Sequence, residues 1–266
     1  MERQDFIRLL SPEGQELLTK VGPLEAKADV VKLVSSLRAQ GNDAALVAAV
    51  LTQAKLRRRA AVKFGPFAER MIFTEAGLEQ ASRLSVAALH ANRFRQAGLN
   101  TVADLGCGIG AESMALASLD INVKAFEIDE VTAAVATYNL APFENAFVEQ
   151  ADVTKVDLSK FDGLFFDPAR RELGGPSRER ATRKFDPAAF SPTFDFVVEA
   201  AAKKPTGVKF GPGHPHEGIP ENAEAQWVSV DGDLVELGLW FGTVARPDVK
   251  RSALLINGNA KHEIIS

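Results

Sequence analysis

Three glycines within five residues, Gly106-Cys107-Gly108-Ile109-Gly110, follow the run Val102-Ala103-Asp104-Leu105 and precede a helical stretch from about Ala111. Glycine enters positive φ without a Cβ penalty, so the pattern predicts a buried strand, a tight turn and a helix start. That unit is a nucleotide cradle of open parallel α/β sheets. Its turn lets the backbone approach a ligand closely, and the first N–H groups of the helix favour a carboxylate or phosphate.

Two ligand classes use such a cradle. Gly106-x-Gly108-x-x-Ala111 fits the dinucleotide fingerprint, which places an acidic residue about 20 positions later on the ribose. Asp104 separates the two classes, because at the strand end its charge would face a diphosphate at close range. A carboxylate there suits an ammonium. S-adenosyl-L-methionine carries a sulfonium, an α-ammonium and an α-carboxylate, and so matches Asp104 and the helix start on both signs.

Further acidic residues recur at predicted strand ends. Asn122 to Asp129 reads as a second strand, with Glu127 placed for the ribose hydroxyls and Asp129 in reserve. A third, Ala146 to Gln150, runs into Ala151-Asp152-Val153, where Asp152 would receive the adenine amine. The fourth, Phe161 to Phe166, opens onto Asp167-Pro168-Ala169-Arg170-Arg171. Ligands of open parallel sheets bind at the carboxyl ends of strands, so these acids converge on one edge. Asp129 and Asp157 read equally well as helix caps. The cofactor-binding set is therefore Asp104, Gly106, Cys107, Gly108, Gly110, Glu127, Ile128, Asp152 and Val153.

On the glycine motif Asp104 to Gly110, Glu127, Asp152 and Phe166-Asp167-Pro168, residues 72 to 266 resemble class I S-adenosylmethionine-dependent methyltransferases. More narrowly, Phe73-Thr74-x-x-Gly77-Leu78-Glu79-Gln80-Ala81-Ser82 with Phe166 to Arg171 is similar to a bacterial group assigned as RNA methyltransferases, with a core akin to trimethylguanosine synthase. Many of that group carry a C-terminal THUMP-like domain. This chain ends soon after its last predicted strand, so the domain is expected to be absent. The resemblance implies a Rossmann-like α/β fold with a seven-stranded, mostly parallel sheet, and methyl transfer with Asp167, Pro168 and Arg170 at the acceptor.

The fourth-strand motif departs from that pattern. Enzymes acting on base amines resemble one another in an Asp/Asn-Pro-Pro-aromatic motif whose oxygens accept the target N–H while the ring stacks on the base. Here Ala169 and Arg170 replace the second proline and the aromatic. Arg170 would stack by its guanidinium plane or hold a phosphate; alternatively, Arg170 and Arg171 pair with Glu172 or Glu179. Cys107 lies in the glycine turn, where it packs against the cofactor, and the fourth-strand loop offers no nucleophilic cysteine.

The 266 residues, 46% hydrophobic and 25% charged, suffice for one substantial core and a small accessory unit. A single cysteine excludes an internal disulfide framework. Without a signal-peptide core or an apolar run near the roughly 20 residues of a membrane span, the expected location is cytoplasmic and away from membranes. Of four histidines, His214 and His216 flank Pro215 in a loop, and no metal site is read from them.

A net charge of −4 hides local asymmetry. Lys55, Arg57, Arg58, Arg59 and Lys63 have no acid among them. From Asp167 to Lys184 the basic residues Arg170, Arg171, Arg178, Arg180, Arg183 and Lys184 outnumber Asp167, Glu172 and Glu179. Segments 55–63 and 170–184 are thus candidates for tracking an RNA backbone, against a solvated helix face and a loop as the plainer alternatives.

Helical periodicity divides the chain into an N-terminal all-α cap, residues 1–70, and a cofactor-binding domain, residues 71–266. Within the second part, one helix is expected from Glu75 to Ala97, another over Ser191 to Ala202, and strands at 207–210, 226–230, 234–241 and 252–256. RNA is the expected acceptor. A protein or small-molecule acceptor, or a cofactor-binding protein without turnover, are the alternatives.

Overall fold

A computed structural model describes residues 1–24, 29–170 and 190–266. Helix α1 (Arg3–Leu10) stops at Ser11, whose hydroxyl accepts from Gly14 N and starts α2 (Pro12–Val21), with Pro12 in the first turn where its missing N–H costs nothing. Asp29 and Asp43 cap α3 (Val30–Ala39) and α4 (Ala44–Phe64) in the same manner. No described helix is long and apolar enough to cross a membrane.

The helix expected from Glu75 to Ala97 is two helices, α5 (Glu75–Gln80) and α6 (Leu84–Gln96). No glycine or proline marks the break. Two lysines from elsewhere in the chain make it: Lys63 Nζ donates to the carbonyls of Leu78, Glu79 and Ala81 at 2.7–2.8 Å, and Lys209 Nζ to that of Gln80 at 2.9 Å. The last carbonyls of a helix need donors, and cations there also favour its negative end. The sequence separation of Lys209 from α5 is why the break escaped the periodicity.

From α6 the chain runs through β1 (Thr101–Leu105), α7 (Ala111–Ala117), β2 (Asn122–Glu127), α8 (Glu130–Leu140), β3 (Ala146–Gln150) and β4 (Gly163–Phe166). A two-residue pair follows, β5 (Ala169–Arg170) antiparallel to β6 (Phe190–Ser191). Then come α9 (Phe194–Ala201), β7 (Thr206–Phe210), β8 (Glu224–Val230), β9 (Asp233–Phe241), β10 (Arg251–Asn257) and β11 (Ala260–Ile265). Because Ser191 pairs in β6, α9 starts later than expected, with Thr193 as its cap.

The main sheet has the order β11-β10-β8-β9-β7-β4-β1-β2-β3. Pairs among β1, β2, β3, β4 and β7 are parallel, β9 is antiparallel to both neighbours, β10 is parallel to β8, and β11 turns back on β10. The sheet is mostly parallel, as expected, but has nine strands rather than seven. Strand β11 was missed because all six of its residues are exposed and two-thirds of it reads Ala-Lys-His-Glu, without an apolar alternation.

Strand residues alternate between two cores. Val102, Ala125 and Phe165 join the core under α4, α6, α7 and α8, whereas Ala103, Leu105, Leu164 and Phe166 join that under α9. Leu9, Val50 and Phe64 belong to the first of these, so the N-terminal helices share one core with the sheet. Two buried amides fasten the connection. Gln53 exchanges hydrogen bonds with Phe73 N and O (2.9 and 2.8 Å), and Asn139 accepts from Ile72 N while donating to the carbonyls of Ile72 and Ile109 (2.9–3.1 Å). Asn139→Ala should therefore cost about 2 to 4 kcal/mol, the penalty of leaving buried backbone groups without partners. Urea unfolding checks this, and a loss under about 0.5 kcal/mol, typical of a surface change, would show that water replaces the amide.

Candidate cofactor and acceptor site

The sheet order reverses between β1 and β4, and their carboxyl ends bring the glycine turn beside the fourth-strand loop. Gly106 sits at φ +96°, and a Cβ there would stand 2.9 Å from the Asp167 carbonyl. Gly110, left-handed at φ +93°, starts α7. Thr74 caps α5, and Gly77 lets that helix rest on Ile109, where a Cβ would collide. The result is a cavity of about 650 Å³, lined among others by Gly106, Glu127, Asp152, Asp167, Lys209 and the break segment at Ala81.

Asp104 is wholly buried on its floor. Its Oδ2 accepts from Ser113 Oγ at 2.6 Å, while Oδ1 has no partner among the described residues. Burial pushes its pKa up to about 7; the Ser113 hydroxyl opposes this, Glu112 and Asp167 add to it, and Lys209 works against it. Most of the turn's N–H groups are already spent: those of Gly106 and Cys107 on Phe126 O, that of Gly108 on Glu127. Glu127 also accepts from Ile128 N and Asp129 N at 2.8 and 3.0 Å. About four lone-pair sites are available to a carboxylate. One thus remains for a ligand without rearrangement.

Asp152 lines the cavity and caps its own short turn, accepting from Thr154 N and Oγ1 at 3.0 and 2.7 Å, bonds that hold its pKa below the usual range. Ile128, exposed, and Val153, buried, flank the same space. Asp129 and Asp157 act as caps, for α8 and for the turn at Leu158. Cys107 is buried, and burial followed by the charges of Asp104 and Glu127 raises its pKa, which leaves a thiol for packing.

At the acceptor edge Pro168 is buried and Asp167 lines the cavity. Asp167 has a partner that the sequence did not point to: its Oδ2 lies 2.5 Å from Lys209 Nζ. Arg170 pairs through its backbone with Phe190. The Arg170 side chain, and Arg171 with the rest of segment 171–184, lie outside the described residues.

The basic stretch 55–63 is largely consumed internally. Arg57 is buried and donates to Met71 O at 2.9 Å, Arg59 pairs with Glu75 and Glu79, and Lys63 holds the end of α5. Burial, with Lys209 and Arg83 nearby, lowers the Lys63 pKa to about 8. Lys55 and Arg58 alone among the five are exposed. A 21-residue helix that buries one face on the core cannot present all five charges to solvent.

Behind the cavity lies a charged group that sequence reading missed. His90 of α6 is set between Glu112 of α7, at 3.2 Å from Nδ1, and Glu236 of β9, at 2.7 Å from Nε2, with all three buried. Burial alone would lower the His90 pKa, but Glu236 and then Glu112 outweigh it and push it up to about 10. Glu236 gave one signal, a carboxylate inside the apolar strand Leu234–Phe241. Among the described residues that line the cavity, Asp104, Glu112, Glu127, Asp152 and Asp167 face one cation, Lys209, so carboxylates outnumber cations there.

The strand order β3-β2-β1-β4-β7-β9-β8, with the glycine turn and Asp167 at the β1–β4 switch, is the class I methyltransferase fold. A protein of Porphyromonas gingivalis W83, provisionally described as a methyltransferase, shares it with a TM-score of 0.63 over 92% of this chain and 65% of its own, at 19% identity. Residues 67–176 match the methyltransferase small domain family, and residues 2–60 match a domain of unknown function, DUF8688. Two uncharacterized S-adenosylmethionine-dependent methyltransferases of Mycobacterium tuberculosis, from strains CDC 1551 and H37Rv, are each 30% identical over 214 residues. The match covers 76% of this chain and 56% of theirs, so the chain spans little more than half the length of those relatives. The family model and the relatives are both described as methyltransferases, and the relatives also as S-adenosylmethionine-dependent.

Proposed function

We propose that this chain transfers a methyl group from S-adenosylmethionine to RNA. One observation carries the cofactor: a buried carboxylate oxygen, Asp104 Oδ1, without a partner among the described residues beside the glycine turn, in a cavity whose described lining holds more carboxylates than cations. An anionic dinucleotide would meet repulsion there, whereas an ammonium supplies the missing donor. Glu127 and Asp152 would take the ribose and the adenine amine. When bound, the cofactor supplies a methyl carbon already activated by its sulfonium. Asp167 and Pro168 then have to hold the acceptor in line and exclude water, a positioning role worth about 7 to 11 kcal/mol in favourable cases. An amine acceptor needs no strong base, because its proton is lost after transfer.

Support for RNA comes from the segment 171–189. The residues that flank it, Arg170 and Phe190, pair in β5–β6, and Pro168 and Phe190 are on the cavity wall. Between them stand Arg171, Arg178, Arg180, Arg183 and Lys184 against Glu172, Glu179 and Asp186. A net positive segment rooted at the acceptor edge suits a polyanion.

Calorimetry should show binding of S-adenosylmethionine and S-adenosylhomocysteine and none of NAD. Labelled cofactor should then pass its methyl group to total RNA, with RNA binding that weakens as salt rises. Label in the protein or metabolite pool instead moves the acceptor to those classes. Binding without transfer to any pool leaves a cofactor-binding protein.

A further inference from the structure

Lys209 is the least expected residue in the cavity. Its ammonium has three N–H donors. One goes to the Gln80 carbonyl at 2.9 Å and one faces Asp167 Oδ2 at 2.5 Å; the third has no acceptor among the described residues. Asp167 Oδ1 likewise has no donor among them, and the Asp167 side chain remains 30% exposed. Both residues line the cavity. The acceptor edge therefore offers one hydrogen-bond acceptor and one charged donor side by side, on the ends of neighbouring strands β4 and β7.

Such a pair discriminates among nucleophiles by their hydrogen-bonding edges. An aliphatic ammonium has only donors, and an isolated hydroxyl has no second atom to place against the lysine. An amine conjugated to a ring nitrogen or next to a carbonyl has an N–H beside a lone pair, and uses both halves. We propose that Lys209 is a specificity-determining residue which, with Asp167, selects a methyl acceptor of this amidine or amide type, the amino-bearing edge of a nucleobase. The inference rests on the methyl-transfer reading above and narrows its acceptor.

Lys209 acts here as a donor and not as a base. Burial by itself would lower its pKa, but Asp167, Glu236 and Glu112 outweigh that and raise it, so the ammonium persists. A hydroxyl acceptor, which must lose its proton early, finds as base only the Asp167 carboxylate, weakened by its ion pair with Lys209. For an amine, the nitrogen lone pair forms the new N–CH₃ bond as the S–CH₃ bond breaks onto sulfur. The N–H proton then leaves through Asp167 Oδ1 to water.

The test locates the label. Total RNA, protein and metabolite pools are incubated with the full chain and methyl-labelled S-adenosylmethionine, and the products are hydrolysed to nucleosides, amino acids and small molecules. Label on an exocyclic base nitrogen is expected; label on a ring nitrogen or a base carbon overturns the inference. Label on ribose oxygen, an aliphatic amine or a carboxylate overturns the inference in whichever pool it occurs; label on a conjugated amine outside RNA overturns only the RNA reading. No transfer in any pool removes both. Two variants add a second arm. Lys209→Met should lower kcat/KM for the acceptor by about 100-fold or more, the scale of a lost recognition hydrogen bond, with S-adenosylmethionine affinity within about threefold of the parent. Lys209→Gln, which keeps a neutral N–H donor, should recover at least about tenfold of that loss. Lys209→Met that transfers like the parent overturns the role, as does a Lys209→Gln no better than Lys209→Met when both bind the cofactor. Should Lys209→Met fail to bind the cofactor, Lys209→Gln against Asp167→Asn decides it: equal kcat/KM in that pair and the parent overturns it.

Discussion

Replacing His90 by alanine should cost about 3 to 5 kcal/mol of folding stability, because it leaves Glu112 and Glu236 as buried carboxylates without their shared cation. Its pH dependence is specific. His90 has a folded pKa raised to about 10, above the unfolded value of 6.5. Its stabilisation is therefore fully present below pH 6.5 and is lost as pH rises through about 10. The parent chain should show falling thermal stability across that window, and His90→Ala should show no such fall. Urea titrations between pH 6 and 10 give both quantities. A His90→Ala chain within about 1 kcal/mol of the parent at pH 6.5 would mean that the two ion pairs barely repay the cost of burying their charges.

A second expected result concerns Asp104. Only its carboxylate form accepts from a ligand ammonium without surrendering a proton, and its pKa in the free protein is raised to about 7. S-adenosylmethionine affinity should then climb about tenfold per pH unit below pH 7 and level off above it, with a proton released on binding in the lower range. Ser113, Glu112, Asp167 and Lys209 are the groups that face it. Asp104→Asn should weaken binding by about 1.5 to 3 kcal/mol at pH 8 and abolish the pH slope. For folding the sign is opposite: a carboxyl with a raised folded pKa opposes stability as pH rises from its unfolded value toward 7, so Asp104→Asn should be the more stable chain above pH 7. Calorimetry in buffers of different ionisation heat separates proton release from affinity, and a flat affinity profile for the parent would place the ammonium elsewhere.

Local signals carried much of this site. Positive-φ glycines have few uses, and a strand followed by Gly106-x-Gly108-x-Gly110 can make only a narrow range of turns. Strand-end acids were legible for the same reason, since period and position both follow from the strands. What stayed hidden depends on contacts remote in sequence. The break after α5 is written in Lys63 and Lys209, not in the segment that breaks. Charge counting placed five cations in 55–63, and only packing reveals that Arg57, Arg59 and Lys63 are spoken for. His90 gave no signal in a helix whose other buried positions are apolar, because its two partners lie 22 and 146 positions away.

The short β5–β6 pairing has a consequence for how such a chain can change. Segment 171–189 is flanked by Arg170 and Phe190, and those two residues are ladder partners. Its ends are adjacent whatever lies between them, so doubling its length would add only about 0.6 kcal/mol of loop-closure entropy. The nine-stranded sheet, the glycine turn and the Asp167–Lys209 pair need no adjustment to a new insert. If this segment carries the acceptor as proposed above, a different basic or acidic insert spliced between Arg170 and Phe190 should change which acceptor is bound while the Asp167–Lys209 pair stays in place, a socket for exchanging substrates by grafting.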